Sequence, residues 1–209
     1  MAMKFEFGWG MGIATSIALA TGIVLVRGAL ADREREQQGL ARCASQCRIA
    51  GLCTYDRKLA TCRPRDSVDC SKSDICKANG LCTFLDGRCA VTSDAECLGA
   101  EQCKEAGRCK FSGNEAIPCV PPSDAECQAS SICRRFGRCT MQGMACNVAS
   151  NEDCARAEAC TKNGQCSKVA REAADGVVVL CSAASNDDCA KGEDCTSNKL
   201  CTAIDGACR

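Results

Sequence analysis

The chain has 209 residues, 24 of them cysteine and none histidine, a cysteine share that marks a disulfide scaffold rather than an ordinary globular domain. Its 26 basic and 26 acidic side chains cancel, so no basic stripe is left to neutralise phosphates and no nucleic acid is expected as a partner. Beyond residue 31 the only aromatic residues are Tyr55, Phe84, Phe111 and Phe136, too few to fill an ordinary core. Cross-links that restrict the unfolded chain, worth about 2–4 kcal/mol each, are the usual substitute.

After a short tail over residues 1–7, residues 8–26 run nineteen positions without a charge. As a helix that stretch measures about 28 Å, enough to span a bilayer core, and it is expected to be a transmembrane anchor. Small residues recur every fourth position (Gly10, Ala14, Ala18, Gly22), a face through which such helices pack into homo- or hetero-oligomers. The rival reading is a cleaved signal segment, because Ala29-Leu30-Ala31 and Ala18-Leu19-Ala20 have the small-x-small form. Arg27 just before the first of these sites favours the anchor. Arg27, Arg33, Arg35 and Arg42 would hold the following region in the cytosol, whereas disulfides place it outside. The disulfide argument is preferred. The expected location is extracytoplasmic, in the periplasm or at the cell surface, and secreted if the segment is cleaved. Residues 27–42 read as a helical linker.

The cysteines then fall into six groups of four: Cys43, Cys47, Cys53 and Cys62; Cys70, Cys76, Cys82 and Cys89; Cys97, Cys103, Cys109 and Cys119; Cys127, Cys133, Cys139 and Cys146; Cys154, Cys160, Cys166 and Cys181; Cys189, Cys195, Cys201 and Cys208. Within a group the positions are a, b, c and d. Five residues always separate b from c, and seven separate d from the next a; only the c–d segment varies freely. Such self-similarity marks a repeat array. The units are an atypical first repeat over 43–66, then repeats over 67–92, 93–122, 123–149, 150–184 and 185–209.

Four residues before a stands Asp66, Ser93, Ser123, Ser150 or Ser185, each a good helix N-cap. Three residues later comes an acid, Asp69, Glu96, Glu126, Asp153 or Asp188, which completes a capping-box pattern and faces the positive end of the helix dipole. Gly51, Gly80, Gly107, Gly137 and Gly164 stand two residues before c, where a helix ends in the left-handed conformation; the sixth unit has Lys199, which predicts a shifted or strained end. An extended stretch follows, with Tyr55, Phe84, Phe111 or Met141 two residues after c and on the same strand face. Asp86-Gly87, Asp175-Gly176 and Asp205-Gly206 read as two-residue hairpin turns. Each unit is therefore expected to be one short helix plus one β-hairpin. The fold class is a small disulfide-rich α+β repeat array, six such units after an N-terminal transmembrane helix.

Four cysteines allow three pairings. The sequence leans toward a–d with b–c, since c leaves the helix end where b sits, and links from d to the next a stay open. In the first unit Cys43 and Cys47 are spaced i, i+4, so its helix could continue out of the membrane.

Zinc or copper sequestration by thiolates is the alternative function. Such sites favour close cysteine pairs and histidine, and this chain has neither C-x-C nor C-x-x-C. A four-cysteine site per unit remains open geometrically, but no metal or other cofactor is expected. No enzyme is expected either: histidine is absent, and the carboxylates and serines recur at cap positions. One local feature departs from the grammar, the apolar run Val177, Val178, Val179 and Leu180 in the fifth hairpin. It reads as a longer hairpin packed on a neighbour, or as an exposed strand edge for a protein or surface ligand.

The form S-x-x-[DE]-C-x5-C-x3-G-x-C, as in Ser93–Cys109 and Ser123–Cys139, resembles that of uncharacterised bacterial secreted or surface proteins with tandem four-cysteine repeats. The resemblance covers residues 43–208 and implies no activity. The expectation is a non-enzymatic, membrane-anchored, extracytoplasmic repeat protein acting as a structural spacer or as a protein- or surface-binding module.

Overall fold

The computed structural model describes residues 37–174 and 176–209. The apolar stretch 8–26, its small-residue face and both small-x-small sites lie outside them, as does Asp175 of the fifth hairpin turn. Among the described residues no helix is long and apolar enough to cross a membrane.

The first unit opens with α1, helical over 37–50, followed by the hairpin β1 (Thr54–Asp56) and β2 (Thr61–Arg63). Unit two holds α2 (Ser67–Ser71), α3 (Asp74–Asn79), β3 (Thr83–Leu85) and β4 (Arg88–Ala90). Unit three holds α4 (Asp94–Gly99), α5 (Glu101–Ala106), β5 (Lys110–Phe111) and β6 (Cys119–Val120). In unit four these are α6 (Asp124–Ala129), α7 (Ser131–Phe136), β7 (Thr140–Gln142) and β8 (Ala145–Asn147). Unit five has α8 (Asn151–Ala155), α9 (Glu158–Asn163), β9 (Ser167–Ala173) and β10 (Gly176–Ser182), and unit six has α10 (Asn186–Ala190), α11 (Glu193–Asn198), β11 (Ala203–Ile204) and β12 (Ala207–Cys208). The six hairpins are separate two-stranded antiparallel sheets.

The single helix expected between a and c is corrected: from unit two onward it is two short helices. The break falls three residues after a, at Ser73, Ala100, Ser130, Ala157 and Gly192, where the backbone is extended with ψ between 143° and 156°. These residues are small because they are buried, Ser73, Ala100, Ser130 and Ala157 at 0–1% exposure. A Cβ on Gly192 would lie 2.6 Å from the Gly164 nitrogen of the preceding unit. Packing against the previous unit thus outweighs the helix preference of alanine. Ser73 and Ser130 also cap the second helix, their hydroxyls accepting from the Cys76 and Cys133 N–H at 3.2 and 3.3 Å. In the first unit the tighter spacing of Cys43 and Cys47 leaves no room for a break, and α1 runs through both.

Every hairpin has one register: the residue two after c faces d. The pairs are Tyr55–Cys62, Phe84–Cys89, Phe111–Cys119, Met141–Cys146, Lys168–Cys181 and Ala203–Cys208. Asp86 and Gly87 take φ of 49° and 82°, and Asp205 and Gly206 take 52° and 80°, the two positive values that a type I′ hairpin turn needs.

All 24 cysteines are paired, and the pattern in every unit is a–d and b–c, with separations of 19 to 27 residues for a–d and 6 for b–c. The a–d bridge ties the first helix of a unit to the far strand of its hairpin. The b–c bridge closes the end of the second helix. Fifteen of the 21 buried hydrophobic residues are cysteines, so the core is a column of cystines rather than of aliphatic side chains. Apolar residues two after d, among them Val91, Val148 and Ala183, are buried beside them. The second helices stack in order, α3 on α5, α5 on α7, α7 on α9 and α9 on α11.

Candidate functional site: the unit junctions and the groove beside the fifth hairpin

Two features stand out from the scaffold, the way each unit seats on the next and one apolar groove. At the junctions, the glycine that ends the last helix of the unit takes φ between 69° and 75° in units one to five. Added to these glycines, a Cβ would lie 2.7–3.0 Å from the carbonyl oxygen of Asp69, Glu96, Glu126, Asp153 or Asp188 in the following unit. The d-position sulfur of the following unit crowds the same spot at four junctions, at 2.9 Å from Gly51, 3.1 Å from Gly107, 2.7 Å from Gly137 and 2.8 Å from Gly164. Glycine is therefore required twice, for the left-handed cap and for the close approach of the next unit. Lys199 holds the same cap position in α11 at φ 63°, so of the two expectations the helix end is strained rather than shifted. Among the described residues no further unit packs on it.

The cap acids span the junctions. Thr83 of unit two donates to Glu96 of unit three at 2.6 Å, Thr140 of unit four to Asp153 of unit five at 3.1 Å, and Ser167 of unit five to Asp188 of unit six at 2.7 Å. Each donor follows c directly. Lys110 takes that place in unit three, and Glu126 instead accepts from its own Ser123 hydroxyl. Each spanning carboxylate also accepts backbone N–H groups ahead of its helix, from Thr92 at 2.6 Å, Ala149 at 2.8 Å and Ala184 at 2.9 Å. Partial burial alone would push Glu96 and Asp188 up, but these hydrogen bonds, with Lys191 beside Asp188, outweigh it and hold both below the ordinary carboxylate range.

A folded-state value below the unfolded one contributes stability that is complete above the unfolded pKa and lost as pH falls through the folded pKa. Acidification from neutrality to below about pH 4 is therefore expected to loosen the junctions of units two with three and five with six. Protection factors at the Thr92, Ser93 and Ala184 amides, taken relative to the slower intrinsic exchange in acid, should fall there, with less change between units three and four. A uniform fall in protection along the array would count against the junction acids.

A second set of contacts ties each hairpin to its own first helix. The residue after the cap accepts the backbone N–H two after c: Ser67 from Phe84, Asp94 from Phe111, Asp124 from Met141, Asn151 from Lys168 and Asn186 from Ala203, at 2.6–3.0 Å. Sequence reasoning missed these residues, although an Asp or Asn directly after the serine cap in four units was the available signal.

Val177 and Val178 are 67% and 45% exposed, whereas Val179 packs against the cluster of Val148, Cys154 and Cys181. Val178, Val179 and Leu180 line a groove of about 400 Å³ with Ile132 and Phe136 of α7 and with Arg138. The fifth hairpin packs on unit four through Val179, as expected of a longer hairpin, and leaves Val177 and part of Val178 exposed.

No group of three or more His, Cys, Asp or Glu among the described residues is placed to hold a metal ion, and every cysteine is in a disulfide. The thiolate alternative has no cluster to rest on. No protein-family profile, curated protein or solved structure matches the chain. The resemblance to tandem four-cysteine surface proteins rests on the spacing motif alone.

Proposed function

We propose that the chain is a non-enzymatic spacer that holds a stiff, protease-resistant array at a fixed distance from a membrane, on the extracytoplasmic side, with residues 8–26 as its tether. The observation that carries this reading is the junction. Five successive glycine caps meet the next unit's backbone with no room for a methyl group, and such contacts leave one relative orientation of neighbouring units. Twelve disulfides among the described residues, with no free thiol, fit an oxidising compartment. Exposed large apolar side chains are scattered singly over helices and hairpins alike, from Val68 and Leu98 to Leu59 and Met144, as on a solvated surface.

Small-angle neutron scattering of the full chain in contrast-matched detergent tests this. Helices stacked at about 8–10 Å per step give the array a single rod-like form roughly 50 Å long. An ensemble of lengths, as from units strung on flexible links, would overturn the spacer reading. Labelling cells, with any outer layer removed, with a membrane-impermeant amine reagent checks the side: the array should be labelled from outside, and a thiol reagent should label it only after reduction.

A further inference from the structure

We propose that the groove between α7 and β10 is a docking site for an extended, acidic and apolar segment of another protein, which adds a strand to the free edge of β10. The proposal goes beyond the spacer reading and does not depend on it. Three observations point the same way. First, β10 pairs only with β9, and among the described residues the backbone of residues 177–181 makes no other backbone hydrogen bond. A strand edge left unpaired is a template for another strand. The four consecutive residues from Val178 to Cys181 all line the groove, so the groove runs along that edge and not across one face.

Second, the far wall is apolar and accessible. Ile132 and Phe136 stand one turn apart on α7, and Phe136 is 48% exposed although it is among the largest side chains of the array. Alternate residues of an incoming strand would meet this wall. Third, the rim is positively charged. Arg138 lines the groove, and among the described residues its hydrogen bond goes to the neutral Asn147, at 3.4 Å. Arg135 lies over the Phe136 ring at 4.9 Å. Glu158 is the acid nearby, and it is already shared by Arg134 at 3.6 Å and Lys162 at 2.9 Å. The strand β10 carries no charge of its own. Carboxylates flanking apolar residues complement this rim. A second copy of this chain does not: a symmetric edge-to-edge pairing would set like patches, arginines included, against each other.

The test uses the full chain in detergent and a blocked octapeptide of alternating valine and glutamate, followed by titration calorimetry and amide NMR. Saturable binding is expected, with amide shifts confined to residues 176–182 and α7. Replacing both arginines (Arg135→Ala with Arg138→Ala) should weaken binding by roughly ten-fold, and added salt should weaken it in the parent. An N-methylated version of the peptide, which keeps its side chains but cannot pair as a strand, should not bind. The reduced-minus-oxidised mass of 24 hydrogens confirms that the variant keeps its disulfides, and the N-methylated arm needs no variant. Equal binding by a control octapeptide of alternating valine and lysine, indifference to N-methylation, no binding up to about 1 mM, or self-association of the chain through β10 would each overturn the proposal. None of these outcomes bears on the scattering length, which tests the spacer reading separately.

Discussion

Gly137→Ala is expected to lower stability far more than Gly143→Ala. Both glycines have positive φ, 71° and 63°, so alanine at either costs about 1–2 kcal/mol in the left-handed region. The surroundings differ. A Cβ at 137 would sit 2.7 Å from the Cys181 sulfur and 2.8 Å from the Asp153 carbonyl oxygen, whereas nothing lies within 4 Å at 143. Overpacking adds about 1–3 kcal/mol, and this increment falls on the contact between units four and five. In a linear array, stability is close to a sum of unit and nearest-neighbour terms. The alanine at 137 should therefore split one unfolding transition into two, while the alanine at 143 only shifts it. Denaturant titration with hydrogen exchange at residues 150–154 distinguishes them, and equal effects at the two positions would remove the close-packed junction. Lys199→Gly should act in the opposite direction, by a few tenths to about 1 kcal/mol, because it relieves a left-handed lysine.

Removing the a–d bridge of a unit is expected to cost more than removing its b–c bridge. In unit four, Cys127→Ala with Cys146→Ala opens a link of separation 19; Cys133→Ala with Cys139→Ala opens one of 6. Chain entropy alone gives about 3 kcal/mol for the first and about 2 kcal/mol for the second. Alanine empties buried sulfur volume in both variants, since Cys127 and Cys146 are 0% and 5% exposed and Cys133 and Cys139 are 8% and 2%. The difference comes from loop length and from what each bridge joins. The a–d variant should lose about 1 kcal/mol more and expose unit four to protease, because it frees the first helix from the hairpin, whereas the b–c bridge closes only the end of α7. A b–c loss as large as the a–d loss would show that the helix cap, and not the cystine column, carries the unit.

Much of a single unit was legible from the residues around its cysteines. Asp66, Ser93, Ser123, Ser150 and Ser185 all stand at the N-cap, because a short polar side chain that accepts a backbone N–H has few other roles ahead of a helix. The turn at Asp86-Gly87 set the register of Phe84 with Cys89, since a two-residue loop permits one pairing. The broken helix was not legible. Ala100 and Ala157 are the strongest helix formers available, and they sit where the helix stops. At the other three breaks Ser73, Ser130 and Gly192 did offer a local cap signal, but at the two alanines no local preference encodes the stop. The same limit applies to Glu96, Asp153 and Asp188. Their capping role is local and readable, but the hydroxyls they accept from Thr83, Thr140 and Ser167 reach them across a junction. The groove was half legible: Val177–Leu180 was visible as an apolar run, while Ile132, Phe136 and Arg138 belong to another unit.

The lysine at the cap of α11 has a meaning for how such an array can change in length. Units two to five are interchangeable parts: each carries a glycine on the side that receives the next unit and an acid on the side that it presents to the previous one. Duplicating any of them in place would create a junction with the same close approach as its neighbours. A copy added behind the sixth unit would meet the Lys199 Cβ where every other junction has none. A unit seated on the sixth as the sixth is seated on the fifth would therefore need glycine in place of Lys199.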